Sequence, residues 1–127
     1  MASIYDKLTD FSKTDGVNPN LGIVSNNAEI HFEGDNDRVN RLGSTDPEAI
    51  TWYVPGLNRF YAKVYHSNSI ALDEKISVET SIDGSSWTPL SLRGDPVTVT
   101  SDTWNRSWIS PLNPLPANTN YLRILLI

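Results

Sequence analysis

Residues 59–66 read Arg59-Phe60-Tyr61-Ala62-Lys63-Val64-Tyr65-His66, and this stretch decides the fold. Apolar and polar side chains alternate along it. Phe60, Ala62 and Val64 take one face; Arg59, Tyr61, Lys63 and Tyr65 take the other. A period of two belongs to a strand with one buried face, because successive side chains of an extended backbone point to opposite sides. Residues 75–82 repeat the pattern, with Ile76, Val78, Thr80 and Ile82 opposite Ser77, Glu79 and Ser81. Residues 49–54 set Ile50, Trp52 and Val54 on one face before Pro55-Gly56 ends the strand. Residues 121–127 close the chain with Leu122, Ile124 and Leu126 on one face.

Working outward, Ile4–Phe11, Leu21–Val24, Arg38–Leu42, Val97–Thr100 and Thr103–Ile109 read as further strands. A short segment, Ala28–Phe32, follows the turn Ser25-Asn26-Asn27. Turn residues punctuate the rest: Asp15-Gly16, Asn18-Pro19-Asn20, Gly34-Asp35-Asn36-Asp37, Ser44-Thr45-Asp46-Pro47 and Asp83-Gly84. No stretch of about 11 residues sustains the i, i+3, i+4, i+7 pattern of a helix. Short strands with turn signals every 8–12 residues imply an all-β fold, an antiparallel β-sandwich. A jelly-roll topology is expected, since it lets the first and last strands lie together and protects the edges.

The 127 residues suit one domain, 1–127, large enough to bury a core without disulfides or metals. There is no cysteine, so thiolate metal sites and disulfide scaffolds are excluded. The net charge is −5 and the ten Lys and Arg are scattered singly. A nucleic-acid binder would show a basic patch, and an anionic membrane would repel this balance. No nucleic acid and no membrane are therefore expected as partners. Met1-Ala2-Ser3 lacks the features of a signal peptide and reads as a start placed on an excised domain, which leaves room for a leader upstream.

Catalytic signals are weak. His31 and His66 are far apart in sequence, no G-x-S-x-G elbow is present, and each reads as a surface or rim histidine. Most carboxylates sit in turns, where they bond local backbone. Asp35 and Asp37, with Asn36 between them, put three oxygen side chains in a row, so a structural calcium is one reading, with Asp6 as a further ligand. A tight Asx-type turn is the favoured one.

The aromatics carry the functional signal. A sugar presents a flat, weakly apolar C–H face and a rim of hydroxyls, so its site needs an exposed ring and polar groups beside it. Alternation turns Tyr61, Lys63 and Tyr65 outward, with the two tyrosines about 13 Å apart at about 3.3 Å per residue. Trp104, Arg106 and Trp108 share a side of their strand. Neighbouring strands are expected to add Glu79, Tyr121 and Arg123 to the same face. Trp52 is expected in the core, Trp87 as a plug at the sandwich end, and Trp104 in a structural role. The carbohydrate-binding set is thus Tyr61, Tyr65 and Trp108 for stacking, with Lys63, Glu79, Arg106 and Arg123 for hydroxyls or acidic substituents.

Several stretches also resemble accessory β-sandwich modules of secreted, Paenibacillus-like polysaccharide-degrading enzymes. They are residues 6–13 (DKLTDFSK), 34–38 (GDNDR), 48–57 (EAITWYVPGL), 81–88 (SIDGSSWT) and 120–124 (NYLRI). The resemblance covers nearly the whole chain, and its motifs are scaffold motifs, the D-G-S-S-W element recurring in several sandwiches. It implies a secreted, extracellular carbohydrate-binding module, not itself an enzyme. Its partners would be a polysaccharide, such as a xanthan-like or mannan-like β-linked glycan, and the catalytic domain of a parent glycoside hydrolase or lyase in the same chain. No cofactor is required, and a structural calcium is the one optional ion. A structural or protein-interaction module of a large exoenzyme is the alternative, and a small hydrolase is the weakest reading.

Overall fold

The alternation in residues 75–82 and 121–127 builds the middle of the larger sheet. The computed structural model describes residues 5–43, 46–94 and 97–127. Its elements are β1 (Gly16–Val17), β2 (Leu21–Val24), α1 (Ala28–His31), β3 (Arg38–Arg41), β4 (Glu48–Tyr53), β5 (Ala62–Ser67), β6 (Ile76–Ser81), β7 (Thr88–Pro89), β8 (Leu92–Gly94), β9 (Thr98–Val99), β10 (Trp104–Pro111) and β11 (Tyr121–Leu126). One turn of 3-10 helix, Leu72–Glu74, precedes β6.

Five strands form one sheet in the order β1-β4-β11-β6-β7. Its pairs are antiparallel, and β11 is central: Ile124 stands opposite Ile50 of β4 and Val78 of β6. Branched side chains thus line up across three strands on the buried face, where cross-strand neighbours pack best. On the other face Arg123 lies between Thr51 and Glu79. The second sheet has the order β5-β10-β8, and β9 also pairs with β10. Ser107 pairs with Val64 and Ile109 with Ala62, so the inner face of this sheet meets the first sheet. The core draws on both, joining Ile50, Trp52, Val78, Leu122 and Ile124 to Phe60, Val64, Leu92 and Ile109. The fold is an all-β antiparallel sandwich, and Trp52 is in its core. The hairpin β2–β3 brings Leu21 and Val39 to the same cluster.

One strand expectation fails, for a local reason. Residues 5–11 form no strand. Asp6 Oδ1 accepts the amide of Leu8 and Asp10 Oδ1 that of Ser12, and Leu8 sits at φ 56°. Aspartate side chains outcompete ladder bonding there, as they do in Asx turns. The short segment Ala28–Phe32 holds a single helical turn, Ala28–His31, entered through Asn27 at φ 56° and too short to display a helical period. The terminal strands share a sheet without touching, since β4 lies between β1 and β11. Met1–Ser3, Ile4 at the head of the expected first strand, Ser44 and Thr45 of an expected turn, and Asp95, one of the carboxylates read in turns, lie outside the described residues.

Ile109 is wholly buried between the sheets. Ile109→Ala should lower stability by about 2–5 kcal/mol, the usual cost of a large-to-small core change, read as a urea midpoint shift. Val99→Ala, at a side chain 70 % exposed, should leave the midpoint nearly unchanged.

Candidate functional site

The outer face of the β5–β10 pair gathers five of the seven residues expected to bind sugar. Trp108 stands opposite Lys63, and Arg106 opposite Tyr65. Tyr61 precedes β5 at the parity of Lys63, on the diagonal from Trp108, a separation that long aromatic side chains can span. Glu79 and Arg123 do not join them. Strands β6 and β11 belong to the other sheet, so these two residues lie on a different surface. Alternation assigns a side chain to a face of its own strand; which strands are neighbours is a long-range property that alternation does not carry.

Half of the β5–β10 face is covered by the chain's own loop. Segment 28–38 crosses it and sets Phe32 edge-on between Tyr65 and Trp104, with ring centroids 5.2 and 4.9 Å away. Arg38 lies 3.9 Å over the Phe32 ring and bonds the carbonyl oxygens of Asp35 and Asn26, which pins the loop. Glu33 accepts Arg106 Nη1 at 2.7 Å on both carboxylate oxygens, and Arg106 Nη2 reaches Thr98 Oγ1 at 3.2 Å. Asp35 Oδ2 lies 3.5 Å from Lys63 Nζ. The trigger for this cover is in the sequence, since Phe32 is a large ring next to two acids, but its target strand is not.

The uncovered half is aromatic and basic. Tyr61 is 65 % exposed and Trp108 44 % exposed. The Lys63 side chain keeps 37 % of its surface beside them, in a long ion pair. A shallow groove of about 210 Å³ continues from Tyr61 along Arg59, Arg93, Leu112 and Asn113. Arg59 was placed on this face by alternation; Arg93 and Asn113 join it only through the β8–β10 pairing and the loop after β10, which sequence reading missed.

Glu79 and Arg123 form a second constellation on the outer face of the five-stranded sheet. Arg123 donates from Nε to Glu79 Oε1 at 2.7 Å and lies 4.2 Å over the Trp87 ring. Trp87 meets Tyr121 edge-on at 6.4 Å, and Tyr121 lies 4.9 Å from Tyr53. Trp87 therefore covers this face instead of plugging a sandwich end. The turn that delivers it is tightly made. Asp83 Oδ1 accepts the amides of Ser85 and Ser86 and the Ser81 hydroxyl, which holds its carboxyl below the usual 3.8. Gly84 adopts φ 80° under the Tyr121 ring, and a Cβ there would meet ring carbon at 3.1 Å.

The aspartates suggested for calcium have protein partners. Asp35 Oδ1 accepts the amide of Asp37, and Asp6 Oδ2 accepts Trp52 Nε1 at 3.0 Å. Among the described residues no three His, Cys, Asp or Glu side chains are grouped to hold an ion. His31 bonds Ser101 Oγ at 2.8 Å. His66 turns inward rather than to the rim, and its Nε2 lies 2.8 Å from Ser107 Oγ. Its Nδ1 has no hydrogen-bond partner among the described residues, so the orienting carboxylate of a Ser-His-Asp triad is missing from this pair.

Comparison with family models, with curated proteins and with solved structures finds no match to this chain.

Burial under Phe32 is the main cause that raises the Tyr65 phenol above its usual 10.0; Lys63 opposes it, while Asp35 and Glu33 add to it. The folded state favours the neutral phenol, so this contribution is intact below pH 10.0 and is lost as pH rises through the folded value. Phe32→Ala should bring the Tyr65 titration back toward 10.0, followed by NMR of ring-labelled tyrosine. An unchanged titration would show that Phe32 is not the cover.

Proposed function

We propose that this chain is a non-catalytic polysaccharide-binding module that holds an attached polysaccharide-degrading enzyme on a β-linked polymer. One observation carries the reading: Tyr61 and Trp108 leave two large rings in water on one strand pair, with Lys63 opposite Trp108 and Arg59 in the groove beside Tyr61. Burying such rings would remove apolar area from water, so a fold that leaves them exposed gives up stabilisation it could have had. A sugar polymer offers the complementary surface, C–H faces for the rings and hydroxyls for the polar rim.

The neighbouring charges favour a polymer with acidic substituents. Lys63 is held by Asp35 only at 3.5 Å and half-exposed, a geometry that contributes little in water and that a uronate or pyruvate carboxylate can replace. Arg106 is different. Its two contacts with Glu33 fix it as part of the loop anchor, so Lys63 and Arg59 are the better candidates for carboxylate contact. Tyr65 lies under Phe32, on the covered half of the face. A secreted setting and a parent hydrolase or lyase follow from the same reading and from the resemblance described above. Binding would be weak and reversible, and useful because tethering raises the local concentration of the enzyme at its polymer.

Affinity electrophoresis in gels containing xanthan, glucomannan or an unsubstituted glucan tests the reading. The wild-type chain should be retarded, most by the acidic polymer. Trp108→Ala and Tyr61→Ala should each weaken retardation about tenfold, equivalent to about 1.4 kcal/mol. Lys63→Ala should weaken it on xanthan and spare glucomannan. No retardation in any gel would sink the proposal.

A further inference from the structure

The groove that continues the exposed aromatic face past Tyr61 is open to water and carries charge of one sign. Arg59, Tyr61 and Leu112 line it and are exposed. Arg93, also exposed, joins them from β8, opposite Ser110 of β10. No Asp or Glu lines the groove among the described residues. Elsewhere the cations are matched: Lys63, Arg106 and Arg123 each have a carboxylate at 3.5 Å or less. Arg59 has no hydrogen-bond or ion-pair partner among the described residues. Ser110 is buried as a residue, yet its hydroxyl is not sealed from the groove and bonds no described residue.

The groove is also preformed. Leu112 donates its amide to Ser91 O at 2.9 Å, and Leu115 donates its amide to Asn58 O at 3.0 Å. The segment after β10 is thereby tied to the stretches before β8 and before β5, and it holds Leu112 and Asn113 as a wall. A guest need not order this wall, which lowers the cost of binding. The volume of about 210 Å³ lies below the about 300–1,000 Å³ of pockets that enclose drug-sized molecules. It suits one sugar residue, not a length of chain. The chemistry of the lining then selects the residue. A guanidinium fork matches the two oxygens of a carboxylate. Tyr61 and Leu112 offer apolar surface to a C–H face, and Ser110 and Asn113 offer hydrogen bonds to hydroxyls.

We infer that this groove is a subsite for one sugar residue bearing a carboxylate, as a uronate or a pyruvate ketal, with the acid at Arg59 and Arg93 and the ring against Tyr61 and Leu112. The inference rests on the polysaccharide reading and narrows it, since it adds a dedicated acid contact beyond Lys63.

The test titrates the whole chain, its arginine side chains labelled for NMR, with three soluble probes: methyl β-D-glucuronide, methyl β-D-glucoside and the 4,6-pyruvate ketal of that glucoside. At least one acidic probe should shift the Arg59 Nε–H resonance, and the one that does so identifies the acid. The neutral glucoside should bind at least about tenfold more weakly. Arg59→Gln should weaken the acidic probe about tenfold, and Arg59→Lys, which keeps the charge and loses the fork, should fall between. Arg59 is exposed, so both variants should fold as the wild type does. The inference is overturned if neither acidic probe moves Arg59, if the glucoside binds as well as they do, or if Arg59→Gln binds them unchanged. Retardation in glucomannan without probe binding would sink the groove and leave the polymer reading standing. Probe binding at Arg59 with no retardation in any gel would do the reverse.

Discussion

The register between β5 and β10 is the constraint from which the rest follows. Ser107 opposite Val64 commits one face of the pair to the interior, and Trp108 opposite Lys63 commits the other to solvent. A slip of one residue would exchange every side chain between faces, driving Lys63 and Arg106 into the core. Ile109 opposes it, since that slip would carry this wholly buried side chain out into water. The outer rings and the buried inner row are thus two consequences of one pairing, since Trp108 and Ser107 are adjacent in the chain and point in opposite directions.

The loop 28–38 then divides the outer face. Phe32 covers Tyr65 and Trp104 because three aromatic rings in edge-on contact bury more apolar surface together than apart. Glu33 and Asp35 come with it and meet the two cations of the strand pair, Arg106 and Lys63. These pairs differ in kind. Glu33 grips Arg106 at 2.7 Å through both oxygens, a charge-assisted geometry that orients the loop. Asp35 stands off from Lys63, so its carboxylate is the weaker competitor for that ammonium. The exposed rings lie on the side of the face where the loop's hold is loosest.

Local pattern was legible in the sequence, and neighbourhood was not. Inner and outer positions of β4, β5, β10 and β11 and of Ile76–Thr80 in β6 follow from period-two reading; Ile82, read with the inner face, lies past the end of β6 and is 61 % exposed, while Ser81 is buried. Trp52 in the core and Tyr61 and Trp108 in water follow from it too. Glu79 and Arg123 were expected beside Tyr61 because the same rule cannot say which strand lies next to which. That depends on β11 inserting between β4 and β6, a pairing across more than forty residues of sequence. Trp87 was misplaced for a related reason, since its position depends on Arg123 and Tyr121 from the distant C-terminal strand. The early aspartates were read as strand residues because nothing nearby shows that Asp6 will bond Trp52. His66 looked like a rim residue because the polar loop after it was legible and its Ser107 partner was not.

The charge of the chain and the charge of its exposed aromatic face have opposite signs. The whole carries −5, while Arg59, Lys63 and Arg93 cluster around Tyr61 and Trp108. Distance separates their effects. At physiological ionic strength the screening length is about 8 Å, so carboxylates on the far sheet, Glu79 among them, are felt only faintly at this face. A lysine in direct contact with a carboxylate is screened far less. Selectivity for an acidic polymer can therefore arise from a few near cations on a chain that is anionic overall.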